Sequence, residues 1–434
     1  MFEYANFLLL ALFAAAAVDL ALALAAKRTP QAAFGWLWGT EHFLFGNGGA
    51  AWRARCGAVL FTVGLASYEV SVAFCNSMAR QTWPWVQGIL APVLDWLAFL
   101  CFAGKILLGT RYTWRSLGVA GSLYFVARWV YFNSQNIWWI GIVVAVLAAK
   151  DVALHRPLRA YLASGTAAVA AVAALHFAGI VAPELTSERN GLLRGTYGYG
   201  HPNTFGGLVM GLVLAYAMLR APKLRWGDAL VPLAAGVFLL LGPASRTAGL
   251  CCLALALLLA LCRWRKDRPQ GRKTPLLAAA LVPLVGAVSY LLPLRLVKNG
   301  PWNSDFGPAW LSKIDHLLTN RLSLSWTAYR VYDVKIAGQV LADWPPMDNS
   351  FVFALYQFGP VVAALLAVLF AVALYGLTKT GRRAEVCCLG VMLLYSFMEC
   401  QSFHLTTNPT ALLLCGALYA LPAGRWGKVH LPPQ

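Results

Sequence analysis

Apolar stretches of about 20 residues recur along the whole chain, each followed by a polar connection. A helix of that length crosses about 30 Å of hydrocarbon and satisfies its own backbone polar groups there. The pattern predicts an all-α, polytopic transmembrane helix bundle that forms a single domain over residues 1–434. The predicted spans, about 12 or 13 in number, lie near residues 4–26, 56–76, 86–107, 116–132, 137–152, 160–182, 202–220, 227–243, 247–262, 274–294, 350–377, 385–402 and 408–422.

The basic residues are concentrated in alternate connections between these spans. The chain carries 35 Lys and Arg, and 24 of them fall in eight short runs on one side, which leaves 11 for the rest of the chain. Cytoplasmic connections of membrane proteins carry such an excess. The outer side then receives residues 183–200, the tight connection 242–247 and a loop of about fifty residues, 295–348, which is long enough to have a function of its own.

Composition agrees with a membrane protein and excludes other classes. Charged residues make up 12% of the chain, whereas a soluble domain carries roughly a quarter. The net charge of +18 would suit nucleic acid, but the basic residues form no patch beside aromatic side chains, so no nucleic acid partner is predicted. The ten cysteines form no metal-binding pattern and no nucleotide-binding motif occurs, so neither a metal nor a cofactor is predicted.

Candidate chemistry is densest in residues 189–207, RNGLLRGTYGYGHPNTFGG, which run from an outer connection into a predicted span. The proline after His201 suits the first turn of a helix, so a helix is predicted to start there. Helix starts attract anions, and the glycines of this segment would let the backbone approach a ligand closely. Arg189, Arg194 and Asn203 are therefore candidate diphosphate ligands, and His201 is a candidate base. The alternative is that the arginines meet lipid phosphates or nearby carboxylates and that His201 is a polar anchor.

A second outer connection, residues 242–247, joins two spans that are both short for a full crossing. Arg246 in this connection is expected below the outer surface, where an arginine is costly and marks function by default. It is a further candidate for diphosphate binding. Snorkelling of its side chain to the interface is the alternative.

The long outer loop is predicted to hold two short helices, residues 310–318 and 324–340, because apolar residues recur there at helical spacing. Arg321 falls at the break between them and is a candidate catalytic cation, with Arg330 as a further diphosphate ligand. Asp348 is the candidate catalytic base of this region. The alternative is that Asp348 only caps the helix that follows.

Two titratable residues, Glu399 and His404, lie at the outer ends of the last two predicted spans. Both are further candidates for the outer site. For Glu399 the alternative is a pairing with an arginine inside the bundle, since an ionised group within a membrane needs a partner.

Several short motifs together resemble those of the O-antigen polymerase and O-antigen ligase superfamily, especially its Wzy-type polysaccharide polymerases. They are GYGHPNTFGG within residues 189–207, Ser245-Arg246-Thr247, and the pair LTNRLSLSWTAY (318–329) and MDNSFVFALYQFGPV (347–361). The resemblance covers roughly the latter half of the chain. It implies a metal-independent glycosyltransferase with a large outer loop, acting on undecaprenyl-diphosphate-linked glycans.

By this resemblance, Arg194, Arg246 and Arg321 would bind the diphosphate of the donor, and the base would be His201 or Asp348. Ligases of the superfamily commonly have a histidine where this chain has Asp348, so the resemblance favours a polymerase over a ligase.

The expected activity is polymerisation of undecaprenyl-diphosphate-linked oligosaccharide repeat units at the outer face of a bacterial cytoplasmic membrane. The lipid bilayer, a flippase and a chain-length regulator are further expected partners. One alternative is a ligase that moves a finished glycan to another acceptor; another is a transporter or flippase of lipid-linked oligosaccharide. Transporters often show inverted repeats and polar residues at the membrane midplane, whereas this chain shows no repeat and its distinctive polar residues cluster at one face.

Overall fold

The computed structural model describes residues 41–46, 48–182, 187–189, 192–265, 271–295, 309–342 and 347–420, with the backbone alone for residues 187–189, 192–193 and 420. The first predicted span, residues 4–26, lies outside the described residues. The described chain forms sixteen α-helices and two short antiparallel strand pairs. The strands are β1 (His42–Phe43), which pairs with β2 (Arg111–Tyr112), and β3 (Ser187–Arg189), which pairs with β4 (Leu192–Arg194).

The chain is an all-α, polytopic transmembrane protein, as predicted. Each of the twelve predicted spans within the described residues contains a helix. Three apolar helices are shorter than a full crossing: Ile137–Ala148, Trp226–Leu241 and Pro409–Tyr419. Seven described helices are long and apolar enough to cross a membrane: Ala50–Cys75, Val86–Leu108, His155–Phe177, Pro202–Lys223, Arg246–Trp264, Thr274–Leu294 and Pro360–Lys379.

The chain divides into two compact units. The first unit takes in the chain up to Arg128, Ile140–Leu208 and the chain from Ala411 onward; the second takes in Trp129–Trp139 and Val209–Thr410. The single transmembrane domain expected from the sequence stays a prediction.

The α-helices in chain order are α1 (Ala50–Cys75), α2 (Ala79–Thr82), α3 (Ala91–Leu108), α4 (Trp114–Ser134), α5 (Ile137–Ala148), α6 (His155–Phe177), α7 (Pro202–Arg220), α8 (Leu230–Leu241), α9 (Arg246–Trp264), α10 (Thr274–Leu294), α11 (Ala309–Leu317), α12 (Arg321–Val331), α13 (Ser350–Phe353), α14 (Pro360–Lys379), α15 (Arg383–Met398) and α16 (Leu414–Ala420).

In the first unit, α1 packs against α3 and α6. Small residues allow the close approach of α1 and α3: a Cβ added at Gly57 would lie 2.9 Å from the Gly109 Cα, and one added at Gly64 would lie 3.0 Å from the Cys101 Cβ. Close packing at glycine is typical of helices in membranes, where contact between helices replaces the hydrophobic effect as the cohesive force.

In the second unit, α9 packs against α8 and α15, and α10 packs against α14. The chain reverses between α8 and α9 through Ala244, which has a positive φ of 50°. This turn places the start of α9 at Arg246. The predicted boundary of that span, at residue 247, is therefore correct to within one residue.

The predicted span 350–377 is not one continuous helix. It consists of α13, a π-helical turn at Ala354–Phe358, a break at Gly359 with a φ of 86°, and α14. Pro360 follows the break, where its missing N–H costs nothing because it occupies the first turn of a helix. The apolar run conceals this break, since Gly and Pro are the only signals of it.

The second predicted loop helix ends earlier than expected, at Val331 instead of residue 340. The chain after it is extended at Tyr332 and reaches Gly338, whose φ is 76°. The Gln339 N–H donates to the Gln357 carbonyl over 3.2 Å, so this segment pairs with the π-helical turn instead of continuing the helix. The apolar residues that suggested a longer helix, among them Ile336 and Val340, are exposed in this segment.

Candidate functional site

Three segments distant in sequence meet around Arg321 in the second unit. Arg321 is the first residue of α12, and its Nη2 lies 2.7 Å from Glu399 Oε1. Its Nε lies 3.9 Å from an oxygen of Asp348. The Thr247 hydroxyl also donates to the Glu399 carboxylate. We call Arg321, Asp348, Glu399 and Thr247 the Arg321 cluster.

The position of Arg321 follows from a local capping interaction. Thr319 and Asn320 both have positive φ angles, 60° and 62°, and reverse the chain between α11 and α12. The buried Asp315 carboxylate then accepts from the Leu322 N–H (2.9 Å) and the Ser323 N–H (3.2 Å), and also from the Ser323 hydroxyl. These bonds satisfy N–H groups that have no partner within the first turn of a helix. The prediction that Arg321 lies at the break between two loop helices is confirmed.

Glu399 follows α15, in extended conformation. The carboxylate is almost completely buried, with 3% of the residue exposed. Its backbone carbonyl accepts from the Ser350 hydroxyl over 2.6 Å, which ties the end of α15 to the start of α13. For Glu399 the structure bears out the alternative of a pairing with an arginine, and its partner is Arg321, at the start of α12 in the predicted outer loop.

Asp348 does not cap the helix that follows it. The cap is Asn349, whose side-chain oxygen accepts from the Phe351 N–H (3.0 Å) and the Val352 N–H (3.2 Å). The Asn349 amide also donates to the Phe397 carbonyl over 3.1 Å. The capping interpretation of Asp348 was therefore wrong by one residue. Asp348 is left with a side chain that is 32% exposed and an oxygen facing Arg321.

The electrostatics of the cluster depend on one guanidinium that faces two carboxylates. Burial acts to lower the pKa of Arg321, but Glu399 and Asp348 act to raise it, and the net shift is upward, so Arg321 stays charged. Only 8% of Arg321 is exposed, and its Nη1 has no hydrogen-bond partner within the part of the chain that the structure describes. A buried charged donor without an acceptor is costly, so an oxygen brought by a ligand would be stabilised there.

The other two arginines predicted in this unit are placed differently. Arg246 is exposed at the first position of α9, directly before Thr247. Arg330 is exposed and lies over the Trp326 ring, with its Cζ 5.2 Å from the ring centroid. Nine residues of helix separate Arg330 from Arg321, which corresponds to about 13 Å along the axis and about half a turn around it. Arg330 therefore points away from the Arg321 cluster.

A second group of predicted residues meets in the first unit. Helix α7 begins at Pro202, as predicted. The Arg194 Nη2 donates to the Asn203 side-chain oxygen over 3.1 Å, and the Asn203 N–H donates to the His201 Nδ1 over 3.1 Å. We call Arg194, His201 and Asn203 the Arg194 cluster. Arg189 belongs to β3, and its side chain lies outside the described residues.

The ring of His201 acts as a helix cap in this arrangement. Its Nδ1 accepts a backbone N–H at the start of α7, where N–H groups lack partners within the helix. In a neutral ring with Nδ1 as acceptor, the proton resides on Nε2. His201 would have to give up the bond with Asn203 before it could accept a proton at Nδ1. The Nδ1 atom of His201 is therefore occupied as a helix cap.

Gly198, one of the glycines of the motif, has a packing function. Gly198 has a φ of 85°, and a Cβ added there would lie 3.0 Å from the Val172 carbonyl oxygen and 3.0 Å from the His176 Cβ. Its own carbonyl accepts from the Met78 N–H over 2.8 Å. The expectation that these glycines admit a ligand is thus replaced, at Gly198, by close packing against α6.

No family model, characterised protein or solved structure matches this chain. The described residues also contain no group of three or more His, Cys, Asp or Glu that could hold a metal ion. The chemistry of the Arg321 cluster is that of one guanidinium, two carboxylates and a hydroxyl.

Proposed function

We propose that this protein is a membrane glycosyltransferase that polymerises undecaprenyl-diphosphate-linked oligosaccharide repeat units at the outer face of a bacterial cytoplasmic membrane. The observation that carries the proposal is the Arg321 cluster itself: Arg321 of one motif faces Asp348 of another and Glu399, and Glu399 accepts from Thr247 of a third motif, about 150 residues earlier in sequence. Contacts between residues that are close in sequence do not explain why these residues lie together.

A purely structural explanation of the cluster is weaker. A buried ion pair stabilises a fold little compared with apolar residues of the same volume, because both charges lose their hydration. The Arg321 cluster has a second carboxylate, an exposed face at Asp348 and a donor, Nη1, without an acceptor. Ionisable groups retained at such a cost in a membrane protein mark function by default.

The geometry supports a division of roles. Asp348 is accessible and takes the proton from the sugar hydroxyl of the acceptor. The hydroxyl oxygen forms a bond to the anomeric carbon of the donor, and the bond from that carbon to the diphosphate oxygen breaks. The electron pair leaves with the diphosphate, and no nucleotide is needed.

The charge that develops on the leaving diphosphate requires donors fixed in advance. Arg321 offers its Nη1, while its Nη2 faces Glu399 and its Nε faces Asp348. Arg246 is exposed at the first position of α9, where the helix start adds partial positive charge. Glu399 touches no ligand in this scheme and holds the guanidinium in place. The role of Arg194 and Asn203 as diphosphate ligands stays a prediction from the sequence.

The test is reconstitution of the full chain in liposomes that contain undecaprenyl-diphosphate-linked repeat units. A polymerase lengthens the lipid-linked glycan; a ligase transfers it to a different acceptor, and a transporter moves it without lengthening. Asp348→Asn is expected to lower the lengthening rate by about 10²- to 10⁴-fold, the usual contribution of a general base.

The matched control is Asp333→Asn, which neutralises an exposed carboxylate of the same outer loop. It is expected to keep the wild-type rate. Absence of lengthening by the wild-type protein, or an unchanged rate in Asp348→Asn, would refute the proposal.

A further inference from the structure

Two thiols face each other at the end of α9 and α15 opposite to the Arg321 cluster. Cys262 lies in the last turn of α9, Cys387 lies near the start of α15, and their sulfur atoms are 3.3 Å apart. These two helices pack against each other in the second unit. The contact therefore joins two neighbouring helices of one compact body.

The distance allows a covalent bond after a small movement. A disulfide places its sulfurs about 2.05 Å apart, so closure shortens the distance between the two sulfur atoms by about 1.3 Å. Both cysteines are half-buried, which leaves them within reach of a small oxidant.

The surroundings of the pair are basic. The Arg383 guanidinium donates to the Arg265 carbonyl and so bridges the start of α15 and the end of α9 beside the thiols. It also acts electrostatically on Cys262. A cation next to a thiol stabilises the negative charge that sulfur carries when it reacts as a nucleophile.

We propose that Cys262 and Cys387 form a reversible disulfide bond when a hydroperoxide reaches this end of the helices. One thiolate attacks the peroxide, the O–O bond breaks, and a sulfenic acid forms with release of water. The second thiol then attacks the sulfenic sulfur, the S–S bond forms, and a second water leaves with the remaining proton. Two thiols and one hydroperoxide molecule thus give one disulfide and two waters when the oxidant is hydrogen peroxide.

The charge distribution indicates when this reaction occurs. Arg263, Arg265, Arg382 and Arg383 lie at this end, and the excess of basic residues predicts that it faces the cytoplasm. Thiols there are kept reduced, so the disulfide would be a response to oxidants and not the resting state. The bond would restrain the two helices whose opposite ends carry Thr247 and Glu399, about 20 Å away along the axes.

The test uses the purified full chain in detergent, exposed to hydrogen peroxide or to diamide, then alkylated and digested without reduction. Mass spectrometry is expected to show a peptide pair joined through Cys262 and Cys387, which dithiothreitol separates. Cys262→Ser should abolish this product, and Cys101→Ser, which removes a buried thiol of the first unit, should leave it unchanged.

Two results would overturn the inference: both thiols staying open to alkylation at oxidant levels that fully oxidise glutathione, or a joined peptide that contains the buried Cys388 in place of Cys387. The wild-type measurement needs no variant to fold. It also needs no sugar substrate, so its outcome is independent of the proposed glycosyltransferase activity.

Discussion

The Arg321 cluster and the Arg194 cluster were both candidate sites from the sequence, and they are built in different ways. Two hydrogen bonds that define the Arg194 cluster join residues nine and two positions apart, at a turn that leads into a helix start. The Arg321 cluster joins residues 78 positions apart through a buried ion pair. Local contacts arise wherever a helix has to be capped, whereas a long-range meeting of charges requires a cause in function or in folding.

The sharpest difference between the clusters is expected in stability. Glu399→Ala leaves the buried Arg321 with only Asp348, 3.9 Å from its Nε, as an anionic partner. Breaking a buried ion pair by removing one partner costs about 3–5 kcal/mol, because the remaining charge is left uncompensated. Thermal unfolding of the detergent-solubilised protein, followed by intrinsic fluorescence, should show a clear fall in Tm.

The double variant Arg321→Met with Glu399→Leu is the control for this prediction. Removing both charges should restore most of the lost stability, because the cost comes from the unpaired charge. The two single variants, Arg321→Met and Glu399→Leu, are measured beside it. If the free energy of unfolding lost in the double variant equals the sum of the losses in the two single variants, the residues act independently and the ion pair is not the cause.

The Arg194 cluster should respond less. Asn203→Ala removes the acceptor for Arg194 Nη2, and a hydrogen bond to a charged group contributes about 1.5–3 kcal/mol. The bond between the Asn203 N–H and His201 belongs to the backbone and survives the substitution. The same unfolding assay should therefore give a smaller fall in Tm than Glu399→Ala does. A larger fall in Tm for Asn203→Ala than for Glu399→Ala would contradict the expectation that the Arg321 cluster contributes more to stability.

The sequence predicts the local parts of this structure better than the long-range ones. The helix start at Pro202 and the break before Arg321 follow from proline and from helical periodicity, both of which are local signals. The break at Gly359 and the extended segment after Val331 were missed because tertiary pairing overrides the apolar pattern there. The capping function went to Asn349 instead of its neighbour Asp348, a difference of one residue that composition does not resolve.

For the candidate site, the sequence supplied residue types but not partners. Thr247 was part of a motif without an assigned role, and its contact with Glu399 depends on how α9 and α15 pack. Arg321 and Arg330 were both candidate cations of the outer loop, and helical geometry turns them to opposite faces of α12. The polymerase assignment itself, and the alternatives of ligase and transporter, stay proposals.

A smaller effect is expected from the two histidines of these regions. His404 of the second unit stacks on Trp138 with ring centroids 4.6 Å apart, and burial lowers its pKa to about 4. An unfolded histidine titrates near 6.5. The native state therefore keeps its full stability above about pH 6.5 and loses this contribution as the pH falls toward about 4.

His404→Phe keeps an aromatic ring against Trp138 and removes the titration. Its Tm should vary less between pH 7 and pH 4.5 than that of the wild-type protein. His201→Phe provides the comparison, because its exposed ring lies in the other cluster. If the dependence of Tm on pH fell equally in both variants, His404 would not be the cause of that dependence.

The central claim is that the Arg321 guanidinium acts in the transfer of sugar units, and the most direct measurement is the rate of glycan lengthening by Arg321→Lys in liposomes. Lysine keeps the positive charge beside Glu399 and Asp348 but lacks the forked donors that leave Nη1 free for a ligand. The rate per folded molecule should fall by about 10²-fold or more, as it does when one fixed donor to a developing charge is removed. Arg330→Lys, on the opposite face of the same helix, should keep the wild-type rate; an Arg321→Lys rate equal to that of Arg330→Lys would contradict the account.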